Sequence, residues 1–302
     1  MVQKLVGVSI TMLGGDLREL ELAKTLLRYE ADLRLVGFPL DPAIEEAKHY
    51  SDPKAAVKDA KIILAPMSNT DMEGHIVNRL DDRESIDLAE VMLSLPLNTP
   101  ILIGVAKPII KQLAEQYRLR LIETAEIDEI AILNSIPTAE GAIHLAMQEL
   151  PITLHGSRCL VVGFGRCGIT LARALLGLGA QVTVAARSKA QLARAIEMGL
   201  QILPMESLCT HLETDVIFNT IPAVVLTRPY LKQLKPSTLI IDLAAAPGGV
   251  DFDAAKEYGI KAILALSLPG KVAPVTAGKI LSQCIPRLLQ DLLGGGDNAA
   301  SR

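Results

Sequence analysis

The string LVVGFGRCGITLAR, 160–173, spaces Gly163, Gly165 and Gly168 as G-x-G-x-x-G. Glycines so spaced suit dinucleotide binding. The first permits a tight turn, the second lets a pyrophosphate reach the backbone, and the third lets a helix pack closely on a strand. Arg166 and Cys167 lie inside the loop, at the start of a helix whose unpaired N–H groups favour phosphate. Glycine-rich turns are common, and the same string also serves as a tight turn with no ligand. Here an apolar strand precedes it, a helical pattern follows, and a second strand, QVTVAAR, comes next. In domains that bind NAD, an acidic residue at the end of that second strand takes both ribose hydroxyls. This chain instead has Arg187, 19 residues after Gly168, followed by Ser188 and Lys189. A guanidinium, a hydroxyl and an ammonium suit a 2′-phosphate, so the expected cofactor is NADP. The competing reading has Arg187 stacked on adenine or facing solvent.

Two further strand ends fall on the same edge. Asn219, Thr220 and Pro222 belong to NTIP, and Asp242 opens DLAAAPGGVD. The carboxyl ends of such strands are where a nicotinamide ring reaches. Asp242 is either part of that site or a carboxylate that shapes a turn.

Substrate chemistry is less sharply marked. In GGDLRELE, Asp16 and Arg18 lie near a helix start, either as an anion site or as a helix cap with Arg18 paired to a nearby Glu. Ser68, Asn69 and Thr70 follow a strand and offer hydroxyl and amide groups to a carboxylate, or form an ordinary polar loop. Thr138 and Glu140 are expected at the start of a long helix. Thr276 is expected to cap the last helix, with Lys271 just upstream. Asp16 and Glu140 are the acid–base candidates. The histidines, at 49, 75, 144, 155 and 211, are dispersed, and the chain has no G-x-S-x-G, H-E-x-x-H or P-loop string.

Short apolar runs alternate with amphipathic stretches throughout, the pattern of βα units around parallel sheets. Strands are expected at KLVGVSI, LRLVGF, KIILAP, PILIGV and LRLIE, and helices near 16–28, 41–48, 84–93 and 107–117. Pro137 is placed to begin a bridging helix over 134–150. From Arg158 a complete doubly wound rhythm covers 151–268, and a helix near 276–293 is one too many for it. The expected class is α/β: two Rossmann-like doubly wound parallel-sheet domains with a cleft between them. The first domain takes 1–133 plus 276–295, its last helix folding back; the second, 151–268, binds NADP. The tail GGGDNAASR is expected to fray.

Composition narrows the partners. The chain of 302 residues exceeds one ordinary core. With 30 basic against 34 acidic residues it lacks the field a polyanion needs, and with no Trp and four Phe it lacks stacking platforms for nucleic acid. No apolar run reaches the roughly 18 residues of a membrane span. The four cysteines show no metal-ligand spacing, as expected of reduced thiols in a cytoplasmic protein.

GGDLRELELAKTL, IAILNSIPTAEGAI, HGSRCLVVGFGRCGITLAR, ARSKAQLARAIEMGL, FNTIPAVVL, DLAAAPGGVDF and LPGKVAPVTAGKIL occur in this order over nearly the whole chain. With these segments the chain resembles the A subunits of dipicolinate synthase from spore-forming bacteria; the extra spacing at Ala195 is ordinary drift. A more distant likeness is to two-domain dehydrogenases of 2-hydroxy acids and alanine, whose usual catalytic histidine has no counterpart here. The resemblance implies oxidation of a dihydrodipicolinate-type ring to pyridine-2,6-dicarboxylate with NADP, in sporulation. It also implies that Gly163, Gly165, Gly168, Arg187 and Ser188 hold the cofactor. A small dicarboxylate substrate, a flavoprotein-like B subunit of the synthase and further copies of the chain are the expected partners. Two alternatives stand beside it: a cofactor-binding protein inert without the B subunit, or a dehydrogenase of another small 2-oxo or amino acid.

Overall fold

The computed structural model describes residues 4–80 and 85–294. The chain forms two compact units: one runs up to Ala131 and resumes at Ala273, and the other is Ile132–Val272.

In the first unit the elements are β1 (Ser9–Leu13), α1 (Leu17–Arg28), β2 (Asp32–Val36), β3 (Lys48–Tyr50), α2 (Pro53–Val57), β4 (Ile62–Leu64), β5 (His75–Ile76), β6 (Ile86–Asp87), α3 (Leu88–Leu93), β7 (Pro100–Ile103), α4 (Pro108–Gln116) and β8 (Arg120–Glu123). Next comes α5 (Asp128–Glu149), within which the unit boundary falls. The second unit contains β9 (Arg158–Val162), α6 (Arg166–Gly177), β10 (Gln181–Ala186), α7 (Lys189–Glu197), β11 (Gln201–Pro204), β12 (Val216–Asn219), α8 (Arg228–Leu231), β13 (Leu239–Asp242), α9 (Phe252–Glu257), β14 (Lys261–Leu264) and α10 (Leu268–Val272). The final helix, α11 (Pro274–Leu293), belongs to the first unit.

Each unit holds a six-stranded sheet, ordered β3-β2-β1-β4-β7-β8 and β11-β10-β9-β12-β13-β14, with every pair parallel. This is the doubly wound order, in which the chain reverses direction across the sheet beside its first strand. The central strands read as continuous apolar runs because helices cover both faces. Leu160, Val162, Ile217 and Ile240 pack on one face of the second sheet, and Val161, Phe218 and Ile241 on the other. The reversal points, β1/β4 and β9/β12, put the loops after those strands where such folds bind ligands.

Three expectations are corrected. KLVGVSI is not a strand from its start: Gly7 is left-handed at φ 72°, and β1 begins at Ser9. Residues 41–48 are not a helix. Asp41 caps one 3₁₀ turn, Pro42–Ile44, and Lys48 then pairs beside Arg34 in β3, where sheet pairing overrides helical propensity. Pro137 does not begin α5 but lies inside it, because the helix starts at Asp128 and gives up one backbone hydrogen bond at the proline.

α11 packs along α1, with Ala277, Gly278, Leu281, Cys284 and Ile285 buried. A Cβ on Gly278 would stand 2.6 Å from Glu21 Cβ and 3.0 Å from the Arg18 carbonyl, so glycine sets how closely the helices cross. The expected helix end at 295 and the tail 295–302 lie outside the described residues. Among the described residues, no helix is long and apolar enough to cross a membrane.

Candidate functional site

The second unit builds the glycine loop between β9 and α6. Gly163 has φ 95°, and a Cβ there would stand 2.3 Å from Thr220 Oγ1. That hydroxyl donates to the Val162 carbonyl at 3.0 Å, tying the β12 loop to the β9 end. A Cβ on Gly168 would stand 2.2 Å from the Gly163 carbonyl oxygen, so the third glycine lets α6 close on the turn. A Cβ on Gly165 meets nothing within 4 Å. The second glycine therefore faces open space at a helix start with no side-chain cap. One position needs the turn, one needs contact and one is open, as a bound pyrophosphate requires. Burial pushes the Cys167 thiol up to about 11, which keeps it protonated and not nucleophilic.

Arg187, Ser188 and Lys189 are exposed at the end of β10. Ser188 occupies the cap position of α7 without its side chain capping the helix. Among the described residues, no side chain or carbonyl engages the Arg187 guanidinium. A cation and a hydroxyl thus stand unclaimed where the adenosine ribose lies in such domains.

Asn219 and Asp242 are placed differently from the expectation. Both are fully buried. The Asn219 amide donates to Asp242 Oδ1 at 2.8 Å and to the Ile221 carbonyl at 3.0 Å. Asp242 also accepts from Ala244 N at 3.1 Å and Gly249 N at 2.6 Å. Neighbouring positions in the β12–β13 register, they clamp the two loops to each other. Their side chains are consumed in shaping the edge: Asp242 takes its turn-shaping alternative, and the Asn219 side chain clamps the loops instead of facing a ligand. Thr220 is half-buried, and Pro222 is exposed on that edge.

In the first unit the structure brings Asp16, Arg18, Ser68 and Asn69 together at the β1/β4 reversal. Asp16 caps α1 and accepts a fork from Arg18, at 2.9 Å from Nε and 2.7 Å from Nη2. Arg18 also donates to the Ser68 hydroxyl, and the Asn69 amide reaches Asp16 Oδ2 at 3.3 Å. Arg18 is 5% exposed. It is therefore no free carboxylate clamp, because Asp16 already fills its fork. Burial opposes ionisation of Asp16, but Arg18 outweighs it and holds the carboxyl below its usual range. Burial likewise opposes the Arg18 charge, and the Asp16 carboxylate more than restores it.

Glu19 was not singled out by its sequence. It completes a capping box, accepting Asp16 N at 2.8 Å, and its other oxygen accepts Met67 N at 2.9 Å. Burial, with the Asp16 charge adding to it and Arg18 opposing, pushes its carboxyl up to about 7. The pattern D-x-x-E at 16–19 is the signal that reveals it. Asp16 caps the first turn and Glu19 takes the Asp16 N–H, so the start of α1 follows the capped alternative.

The other candidates are not drawn into this cluster. The Thr70 hydroxyl is buried without a partner. Thr138 lies mid-helix and donates to the Asn134 carbonyl at 2.8 Å. Glu140 is exposed on α5. Thr276 does not cap α11: Pro274 fixes the first turn, Ala273 is the cap residue, and Thr276 lies exposed within that turn. Lys271 is exposed in α10.

Two doubly wound sheets, one carrying an open glycine cradle, define a two-domain dinucleotide-binding protein of the dehydrogenase type. Residues 138–253 match the NAD-binding domain of D-isomer specific 2-hydroxyacid dehydrogenases, and 9–125 match the N-terminal domain of the dipicolinate synthase A subunit. The chain is 40% identical over 290 residues to the A subunit of dipicolinate synthase from Bacillus subtilis, covering 95% of this chain and 98% of that one. The crystal structure of the A subunit of dipicolinate synthase from Bacillus halodurans superposes with a TM-score of 0.89 at 38% identity, covering 95% of this chain and 99% of that one. A transhydrogenase from Sinorhizobium meliloti shares the fold, at a TM-score of 0.67 and 15% identity, covering 94% of each chain. This chain belongs to the family of dipicolinate synthase A subunits.

Proposed function

We propose that this chain is an NADP-dependent oxidoreductase that converts a dihydrodipicolinate-type ring to pyridine-2,6-dicarboxylate. Arg187 and Ser188, with Lys189, hold the 2′-phosphate, while Gly165 and the start of α6 receive the pyrophosphate. NADP supplies the hydride acceptor: the ring loses a hydride and a proton, giving the aromatic dicarboxylate, NADPH and one proton. The chain's task is to hold the ring and accept that proton. Ser68 and Asn69, on the loop after β4, offer donors to a carboxylate. Asp16, ionised and steadied by Arg18, is the proton acceptor in this reading. Family membership supports dipicolinate formation in spore-forming cells, in company with a flavoprotein-like B subunit.

The observation that carries the cofactor assignment is the unclaimed Arg187 guanidinium beyond an open Gly165. Fluorescence titration with NADPH and NADH tests it. The parent is expected to prefer NADPH, and Arg187→Asp to lose about 1.5–3 kcal/mol of that preference, the worth of a charge-assisted contact. Equal affinities in the parent would remove the basis for the assignment. A second reading, a cofactor-holding protein inert without the B subunit, is favoured by the dispersed histidines, none in a catalytic spacing: His75 pairs with Asp71 in the segment that follows the Ser68–Thr70 loop, and His155 bonds the Leu178 carbonyl. Turnover by the purified chain, with and without its flavoprotein-like partner, separates the two.

A further inference from the structure

The loops after β1 and β4 meet at the reversal point of the first sheet, and Glu19 joins them through the main chain of both. One carboxylate oxygen accepts Asp16 N, and the other accepts Met67 N, the residue just before Ser68. Glu19 is 4% exposed, so its carboxylate oxygens are held by these two N–H groups rather than by bulk water. The approach is close enough that a Cβ on Gly15 would stand 2.6 Å from Glu19 Cγ.

We infer that Glu19 is a positioning residue for the substrate: by bridging Asp16 N and Met67 N it fixes the loop on which Ser68 and Asn69 meet the dicarboxylate. This rests on the reading that Ser68 and Asn69 bind the ring's carboxylate. Two donors need two acceptor oxygens. An amide offers one oxygen and turns its NH₂ on the other donor; a protonated carboxyl does the same with its hydroxyl. Either change releases one of the two loops. The charges acting on Glu19 are those of Arg18, which favours the ionised form, and Asp16, which opposes it. The Met67–Asn69 loop carries no charge, and Lys279 of α11 lies exposed beside Glu21. Because burial brings Glu19 to about 7, the bridge is whole at pH 8 and mostly protonated at pH 6.

Calorimetric titration of the full chain with pyridine-2,6-dicarboxylate, under saturating NADP, tests this at both pH values. If only the ionised form holds the loop, parent binding weakens about tenfold from pH 8 to pH 6. Glu19→Gln is expected to bind about tenfold more weakly at pH 8 and to lose the pH dependence. Ser68→Ala and Asn69→Ala weaken binding at both pH values if the carboxylate lies there. No effect of those two overturns the placement of the substrate. An effect of those two alone, with Glu19→Gln and the parent's pH profile both flat, overturns the role of Glu19. Should Glu19→Gln fail to fold, the parent's profile decides: a tenfold weakening supports the bridge, and a flat profile overturns it.

Discussion

Gly165→Ala should leave the protein folded and cost it the nucleotide. Gly165 has φ −91° and ψ −160°, open to any residue, and the added methyl meets nothing within 4 Å. Alanine is the poorer helix cap by up to about 1 kcal/mol, but it also stiffens the unfolded chain by about 0.4–1 kcal/mol. The two nearly cancel, so the urea midpoint should barely move. Binding is another matter, because the methyl takes the space the pyrophosphate needs. Losing one charge-assisted bond there costs about 1.5–3 kcal/mol, or roughly 12- to 150-fold in NADPH affinity. Gly168→Ala is the matched control. Its methyl would stand 2.2 Å from a backbone carbonyl oxygen that cannot rotate away, so strain of about 1–3 kcal/mol falls on stability. Urea denaturation and NADPH fluorescence titration on both variants give four numbers. Parent-like NADPH binding by Gly165→Ala would refute the reading of that open space. A parent-like urea midpoint for Gly168→Ala would refute the reading of the close approach.

Arg18→Ala should destabilise the protein rather than simply weaken substrate binding. It leaves the Asp16 carboxylate unpaired, and because Asp16 keeps 17% side-chain exposure the loss should fall near or below the roughly 3 kcal/mol floor of fully buried pairs. A urea midpoint equal to the parent's would refute the stabilising role of the Asp16–Arg18 pair. Stability should also depend on pH through Glu19. Its folded value, about 7, lies above the ordinary value of 4.5, so its contribution is full below about 4.5 and lost as pH rises through about 7. The loss is at most about 3 kcal/mol, and Glu19→Gln should flatten the parent's decline between those pH values. Asp16 acts in the opposite sense: held low by Arg18, it adds stability above its unfolded value that is lost as pH falls through the folded one.

The parallel sheets were legible because strands buried on both faces must be apolar throughout, and VTVA, VIFN and LIID declare themselves. Short elements were not. β3 is three residues of Lys, His and Tyr, defined by its pairing with β2, and the β5–β6 pair is two residues on each side. The glycine loop was readable because its spacing encodes backbone geometry. Side-chain direction was not, as Asn219 and Asp242 show: a polar residue ending a strand looks the same whether it faces a ligand or its neighbour's loop. Glu19 escaped notice because a capping box reads as local chemistry, while its second oxygen serves Met67, 48 residues away.

The central claim is that hydride passes from the ring to NADP on this chain. Substrate deuterated at the donating ring carbon, incubated with NADP and the full chain, tests it most directly, with the flavoprotein-like partner added if turnover requires it. The expected result is deuterium at the nicotinamide C4 of the NADPH formed. Product carrying no matching NADPH, with the label lost to solvent or to a flavin on that partner, would contradict the account.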